Sequence, residues 1–245
     1  MKDSVVILGA SRGIGQEIAL HLANEGYEKL ILVARNLDAL KALEKSVHKI
    51  QPDVSVTSYG VDLTDGSACE KFFHQLEDDG EFPKHWIFSY GGSPTGQSNR
   101  IPIERREWSN VEDVMELNLL SQMRLTARIL LELLRPPYES SLIYLGSQAG
   151  IHPIKHNAAY CAAKAGLHSF VKTLFEEHRE DGVKCCLIAP GVVDTPLIPE
   201  SPKFQREYFI DPDDVAKSVS FALEISQKSC PVEIQIRPQR SPFLS

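Results

Sequence analysis

The sequence predicts one α/β domain built on a doubly wound parallel sheet. Seven short apolar runs alternate with longer segments of helical spacing along the whole chain. The runs are continuous stretches of Val, Ile and Leu, which is typical of strands that helices cover on both faces. A chain of 245 residues is long enough for one such domain, so residues 1–245 are expected to form a single unit.

The predicted elements follow one another as strand and helix. The predicted strands are Val5–Leu8, Leu30–Val33, Val54–Tyr59, Trp86–Tyr90, Leu142–Leu145, Val183–Ile188 and Val232–Ile236. The predicted helices include Ile14–Ala23, Leu37–Ile50, Val111–Leu134, Ala158–Phe175 and Asp213–Ile225. Ser109 and Asp211-Pro212 are typical of helix starts. Right-handed crossovers place ligands at the carboxyl edge of such a sheet.

The composition excludes several classes of partner. Lys and Arg number 26 against 33 Asp and Glu, for a net charge of −7, and no basic run favours nucleic acid. The apolar run at Val5–Leu8 is too short for a signal peptide, and no run approaches the ~20 residues of a membrane span. The five cysteines form no CxxC pair, so no metal site is predicted. We therefore expect a cytoplasmic protein without a membrane or nucleic-acid partner.

A glycine-rich loop lies directly after the first predicted strand and leads into a helix. It reads Gly9-Ala10-Ser11-Arg12-Gly13-Ile14-Gly15, with the spacing GxxxGxG instead of GxGxxG. Such glycines let main-chain amides and a helix N-terminus approach a pyrophosphate. Alone the loop could be a plain turn, but its position in an alternating chain favours a dinucleotide. The predicted contacts are Gly9, Ser11, Arg12, Gly13, Ile14 and Gly15.

The end of the second predicted strand indicates which dinucleotide binds. An acidic residue there would hold the ribose 2′-hydroxyl of NAD, but the sequence has Ala34-Arg35-Asn36. Arg35 and Arg12 could pair with a 2′-phosphate, with Asn36 beside them, so the predicted cofactor is NADP(H). The alternative is that both arginines are ordinary solvated surface residues.

Asp62-Leu63 follows the third predicted strand, at the expected adenine position. Asp62 could accept a hydrogen bond from the adenine amine, and Leu63 would lie beside it. An Asp before a helix is also a common cap. Position favours the cofactor role.

Tyr160 and Lys164 are one helical turn apart and therefore share a helix face. A nearby ammonium stabilises a phenolate, so Lys164 is expected to lower the pKa of Tyr160 toward the value that a general acid needs. Ser147, at the end of the fifth predicted strand, could hold a substrate oxygen. Taken alone, the YxxxK spacing often occurs by chance.

The glycine loop, Asn118, Ser147 and the pair Tyr160 and Lys164 occur in the order and at the intervals of the short-chain dehydrogenase/reductase family, which this chain resembles. The resemblance extends from Val5 to about Pro238 and includes Pro190-Gly191 and Thr195. It implies a Rossmann-type sheet with strand order 3-2-1-4-5-6-7.

The resemblance also implies a reaction. Tyr160 would exchange a proton with a carbonyl or alcohol oxygen that Ser147 stabilises, while hydride moves to or from nicotinamide. Lys164 would bind the nicotinamide ribose, and Asn118 would hold a water in the proton relay. Further cofactor contacts would come from Tyr90, Gly91, Pro190, Gly191, Val193 and Thr195. Family members are homodimers or homotetramers, here built on Val111–Leu134 and Ala158–Phe175.

The sequence departs from the family pattern after the fourth predicted strand. Ser89-Tyr90-Gly91-Gly92 replaces the usual Asn-Asn-Ala-Gly, so two amides that brace the sheet edge are lost and Tyr90 adds bulk. This departure keeps open an alternative function, a non-catalytic NADP(H)-binding regulatory protein. An epimerase or dehydratase is a weaker alternative because the chain is short for an added sugar-binding domain.

The substrate is expected to contact Gln148, Ile154 and Leu197. These residues lie in two segments, Gln148–Asn157 and an excursion over about residues 196–210. The excursion mixes apolar and Pro residues as a lid would, although ordinary surface packing explains it equally. His152 and His156 lie nearby in sequence and are assigned no role.

Overall fold

The computed structural model describes residues 4–80, 82–92, 101–135, 139–198 and 200–243. Seven parallel strands form one sheet, and their order, 3-2-1-4-5-6-7, confirms the predicted one. The strands are β1 Val5–Leu8, β2 Lys29–Ala34, β3 Ser55–Gly60, β4 His85–Phe88, β5 Ser140–Leu145, β6 Val183–Pro190 and β7 Glu233–Ile236.

Helices cover both faces of the sheet. The α-helices are α1 Gly13–Asn24, α2 Leu37–Ile50, α3 Gly66–Asp78, α4 Trp108–Met115, α5 Ser121–Leu133, α6 Ala158–His178 and α7 Pro212–Glu224. One apolar cluster lies between the sheet and α1, α2 and α7, and another lies between the sheet and α3, α5 and α6. Within the described residues, no helix is long and apolar enough to cross a membrane.

The two outer strands are more exposed than the sequence predicts. Strands β1, β2, β4, β5 and β6 are buried almost throughout, as the continuous apolar runs indicate. In β3 and β7, however, every residue is partly or fully exposed. Each outer strand has one neighbour in the sheet and lies at the margin of the helix layers, so its side chains are covered less.

The long helix predicted from Val111 to Leu134 is α4, a π-helical turn over Glu116–Leu120, and α5. At this turn the Ser121 amide donates to the Glu116 carbonyl, five residues back. Asn118, inside the turn, donates from Nδ2 to the Val114 carbonyl at 2.9 Å, which is the carbonyl its own amide would reach in an α-helix. Single-turn π bulges frequently lie at functional sites.

The two predicted helix starts have different outcomes. Asp211 caps α7 as predicted, because its carboxylate accepts from the Asp213 amide at 2.9 Å and Pro212 follows it. Ser109 is not a cap. Helix α4 begins one residue earlier, at Trp108, and the capping position belongs to Glu107, whose side chain makes no capping hydrogen bond.

Candidate active site

The glycine loop joins β1 to α1 through main-chain contacts that a side chain would block. Gly9 has φ 95°, and a methyl group there would lie 2.8 Å from the main-chain nitrogen of Tyr90. A methyl group at Gly15 would overlap the Gly9 carbonyl and the Ser89 hydroxyl. Gly13, with φ 58°, lies beside Thr195. These positions therefore need glycine, and the loop can approach a ligand closely.

The predicted cofactor residues converge at the carboxyl edge of the sheet. Gly13 brings the loop after β1 next to Thr195, which follows β6. A methyl group at Gly91, after β4, would lie 3.3 Å from the Lys164 ammonium. Two other predicted cofactor residues after β6 are held by main-chain contacts. The Gly191 amide donates to the Ile236 carbonyl at 2.8 Å, and Val193 forms a β-bridge with Ile210.

The predicted adenosine contacts form a second group at the ends of β2 and β3. Arg35 is 69% exposed in its side chain, and its Nη1 lies 4.0 Å from Asp62 Oδ2. Asp62 Oδ1 accepts from the Thr64 amide at 3.0 Å and from its hydroxyl at 2.7 Å. Asn36 caps α2 by accepting from the Ala39 amide, and Leu63 is buried. One carboxylate oxygen of Asp62 thus builds the turn and the other faces Arg35.

Other side chains brace the sheet edge in place of the two missing amides. The Ser89 hydroxyl donates to the Leu8 carbonyl at 2.9 Å, and Gln122 Nε2 donates to the Tyr90 carbonyl at 3.2 Å. The Tyr90 hydroxyl bonds with Ser121 on α5 at 3.2 Å, and its ring packs against the apolar core. The expected loss of bracing is therefore wrong, and the bulk of Tyr90 lies toward α5.

Asn118 links α4 and α5 to the end of β4. Its side chain is fully buried. Oδ1 accepts from the Gly92 amide at 2.8 Å, and Nδ2 donates to the Gly92 carbonyl at 2.8 Å. With the additional bond to Val114, the amide is used entirely by main-chain groups. The side chain of Asn118 therefore fixes the segment of Gly91 and Gly92 beside Lys164.

Lys164 is buried on α6, with 3% of its surface exposed. Its ammonium donates to the Leu145 carbonyl at the end of β5, at 2.9 Å. Burial lowers the pKa of Lys164 from 10.5 to about 8, because the charged form loses its hydration. The ammonium lies 5.9 Å from the centre of the Tyr160 ring, so the predicted pair does share one helix face.

Ser147 lies near Tyr160, but the pKa of Tyr160 is not lowered. Burial of the phenol raises its pKa, and this effect exceeds the lowering by a hydrogen bond with the Ser147 side chain. The phenolate would be poorly hydrated here, so the expected lowering of the pKa of Tyr160 by Lys164 is wrong. The Ser147 hydroxyl oxygen accepts from the Ala149 amide at 3.1 Å, which leaves its proton for donation.

Among the predicted substrate contacts, Gln148 makes a hydrogen bond within the protein. Its Nε2 donates to the Ala189 carbonyl at 3.0 Å, so its amide braces β6. Ile154 is 38% exposed and Leu197 50% exposed. The amide of Ile154 donates to the Cys161 thiol at 3.3 Å, which holds this loop against the start of α6.

The segment after Thr195 is tied down by Arg206 and by the C-terminal residues. The Arg206 guanidinium pairs with Asp194 and donates to the Ile198 carbonyl at 3.1 Å. The Gln205 amide donates to the Pro242 carbonyl at 3.0 Å, and the rings of Phe204 and Phe243 lie 5.8 Å apart. The excursion is therefore held from two sides.

Two residues that support the site were not predicted from the sequence. Gln122 lies one turn beyond Asn118 on the same helical segment, and this spacing could have indicated a shared bracing role. Arg206 belongs to no motif, so the sequence gives no sign of its partners.

The family profile described as short chain dehydrogenase matches residues 3–206. The chain belongs to the short-chain dehydrogenase/reductase family. An uncharacterized oxidoreductase of Staphylococcus epidermidis is 29% identical to this family member over 239 residues, which cover 97% of this chain and 98% of the relative.

Solved structures of the family share the whole fold. An alcohol dehydrogenase from the archaeon Thermococcus sibiricus, complexed with 5-hydroxy-NADP, is 25% identical with a TM-score of 0.81, covering 99% of this chain and 100% of that one. A 4-hydroxyisoleucine dehydrogenase complexed with NADH is 18% identical with a TM-score of 0.83, covering 97% and 98%.

Lys164 gives this short-chain dehydrogenase a measurable dependence of stability on pH. Between pH 8 and 10.5 the unfolded chain keeps a proton on Lys164 that the folded chain releases. The free energy of unfolding therefore gains a contribution that rises with pH in this window. We expect Lys164→Met to lack this contribution in urea unfolding at pH 8 and pH 10.5. Lys41→Met, at an exposed position, is the control, and an equal rise in wild type and Lys164→Met would contradict the assignment.

Proposed function

We propose that the protein is an NADPH-dependent oxidoreductase that reduces a ketone or aldehyde, or oxidises the matching secondary alcohol. The observation that carries the proposal is the gathering of Tyr160, Ser147, Lys164 and Asn118 beside the glycine loop. The phenol lies close enough to the Ser147 side chain for that side chain to lower its pKa. Lys164 lies on the same helix face, and Asn118 fixes Gly91 next to Lys164.

The residues present fit a nicotinamide dinucleotide. Gly9, Gly13 and Gly15 form a cradle that side chains would fill, at the N-terminus of a 12-residue helix. Gly91 continues this cradle toward Lys164. The loop would hold the pyrophosphate and Lys164 the nicotinamide ribose. When bound, the dinucleotide supplies or accepts the hydride.

Tyr160 acts as the general acid in the direction of carbonyl reduction. Because burial raises the pKa of its phenol, the group keeps its proton at neutral pH and can donate it to the substrate oxygen. The Ser147 hydroxyl donates a second hydrogen bond to the same oxygen. Positioned donors of this kind stabilise the negative charge that develops in the transition state.

Lys164 stabilises Tyr160 after the proton has left. Its pKa of about 8 keeps most of the ammonium charged at pH 7. A cation on the same helix face favours the phenolate that forms during the reaction. The bond to the Leu145 carbonyl holds the ammonium in place.

Arg35 and Arg12 support the choice of NADPH over NADH. Both are exposed at the carboxyl edge, near the start of α1 and the end of β2. The strand end carries no carboxylate that would repel a 2′-phosphate. The solved relatives include an enzyme complexed with an NADP derivative and one complexed with NADH.

The excursion over about residues 196–210 is the proposed lid over the substrate, with Ile154 and Leu197 as apolar contacts. The exposed surfaces of these two side chains support this role. A non-catalytic regulatory protein is not favoured, because the altered residues after β4 are braced and the acid, its partners and the cradle are all present.

Removal of the Tyr160 hydroxyl should abolish turnover without loss of cofactor binding. Loss of a general acid typically slows a reaction by about 100-fold or more. We expect Tyr160→Phe to lose at least this factor in kcat for NADPH oxidation with a panel of ketones, aldehydes and 3-keto acids. NADPH binding, followed by fluorescence, should stay unchanged. Tyr59→Phe, whose hydroxyl bonds with Asp79 at the end of α3, is the control, and undiminished activity in Tyr160→Phe would exclude the assigned acid.

Arg35 should distinguish the two cofactors. We expect NADPH to bind at least about tenfold more tightly than NADH, a difference of about 1.4 kcal/mol. Arg35→Ala should weaken NADPH and leave NADH unchanged, because only the former carries the 2′-phosphate. Calorimetry of both cofactors tests this, with Arg179→Ala as a control for an exposed arginine paired elsewhere. Equal affinity of the wild type for both cofactors would contradict the proposal.

We also propose that the protein is a homodimer or homotetramer built on α5 and α6. Large apolar side chains are exposed along the π turn and α5: Leu120, Met123, Leu131 and Leu134 are 45%, 38%, 62% and 42% exposed. Their spacing places them on one side of the helix, as in a stripe that a second copy would cover.

A charge in this stripe should break the assembly. We expect Leu131→Glu to shift the mass in sedimentation equilibrium to that of a monomer, because a buried carboxylate at an interface is costly. Ile50→Glu, at another exposed apolar position, on α2, should not. A wild type that is monomeric at micromolar concentration would refute the proposed assembly.

A further inference from the structure

The turn that carries Ser147 packs against the side chain of His168. This residue lies one turn beyond Lys164 on α6 and is 6% exposed. A methyl group at Gly146 would lie 2.9 Å from His168 Nε2, and one at Gly150 would lie 3.0 Å from it. The two glycines that flank the Ser147 turn thus both contact one imidazole.

His168 takes no part in the reaction proposed above, and one nitrogen of its ring lacks a hydrogen-bond partner. Among the described residues, Nε2 has no hydrogen-bond partner although it is buried. A buried polar atom without a partner costs free energy, and an apolar side chain would fill the same space without that cost. Packing alone therefore does not explain why a histidine occupies this position.

The groups around the imidazole ring shift the pKa of His168 in opposite directions. Burial is the largest effect and lowers the pKa of His168, and Lys172 and Lys164 on α6 lower it further. Glu233 on β7 and the Ser147 main chain raise it. Glu233 is held in turn by Lys172 at 2.5 Å and by Gln235 at 2.7 Å. The net effect keeps the imidazole neutral at neutral pH.

We propose that His168 is a positioning residue, whose imidazole ring supports residues 146–150 from the α6 side and thereby holds the Ser147 hydroxyl near Tyr160. The inference rests on the proposed function, because it assigns Ser147 the task of binding the substrate oxygen. His168 contacts neither the substrate nor the reacting atoms, and acts through Ser147.

Protonation of the ring would disturb this support. An imidazolium would lie near the ammonium groups of Lys164 and Lys172, with Glu233 as the nearby carboxylate. Like charges in a buried setting repel strongly, so the ring and the turn above it would move apart as the pH falls. The position of Ser147 should then depend on pH through a residue outside the reaction.

Two substitutions separate the size of the ring from its titration. His168→Ala removes the support, and a small displacement of a catalytic group costs about tenfold or more in rate. We expect that loss in kcat, with KM for NADPH and its affinity within about twofold of wild type. His168→Leu restores the bulk without the titrating nitrogens. It should recover kcat to within about threefold at pH 7.5. We expect kcat of wild type to fall below the pKa of a free histidine, about 6.5, and His168→Leu should lack this fall.

His178→Leu is the matched control, because His178 lies at the far end of the same helix and pairs with Asp181. It should leave kcat and its pH profile unchanged. The proposal is overturned if His168→Ala keeps wild-type kcat, if NADPH affinity falls in parallel with kcat, or if His168→Leu retains the fall in kcat at low pH.

Hydrogen exchange distinguishes a failure of this inference from a failure of the proposed function. If wild type turns over no carbonyl with NADPH, the proposed function fails, and amide exchange in residues 146–150 still tests the support. We expect exchange there to be at least about tenfold faster in His168→Ala than in wild type, with α7 unchanged. Unchanged exchange in residues 146–150 would overturn the support role as well.

Discussion

The site depends on close contact between main-chain segments at the carboxyl edge of the sheet. Gly9 contacts the main chain of Tyr90, Gly15 contacts the Gly9 carbonyl, and Gly91 lies against Asn118 and Lys164. Interiors are packed too densely for these segments to separate by the width of one methyl group without cost. The loops after β1 and β4 therefore form one continuous surface. The packing of this surface sets the positions of the side chains that are proposed to act on substrate or cofactor.

Burial of the polar groups gives this surface its chemistry and reduces its stability. Asn118 satisfies its amide with main-chain partners, so its burial is compensated. Lys164 keeps a charge in a buried position with one carbonyl as partner, and His168 keeps a nitrogen without one among the described residues. Such groups cost free energy that the apolar clusters on both sheet faces offset. A protein selected only for stability would replace them.

The sequence predicted the fold and the family, because both follow from short-range patterns, and the roles of the site residues stay predictions. The apolar runs, the glycine spacing and the interval from Tyr160 to Lys164 each need only neighbouring residues. The failures concern distant contacts. The raised pKa of Tyr160 follows from burial by several elements, and the orientation of Tyr90 follows from Ser121 on α5. At the π turn, the side chain of Asn118 donates to the Val114 carbonyl in place of one α-helical hydrogen bond. The periodicity of the sequence does not reveal this replacement.

The first and last described residues lie at opposite edges of the sheet. The C-terminal residues Pro242 and Phe243 pack on Phe204 and Gln205, within the proposed lid, whereas β1 begins at Val5 on the amino edge. A purification tag fused after Phe243 would therefore follow residues that pack directly against the proposed lid. A tag fused before β1 would follow no such contact, which makes it the better choice for kinetic tests of the proposed function.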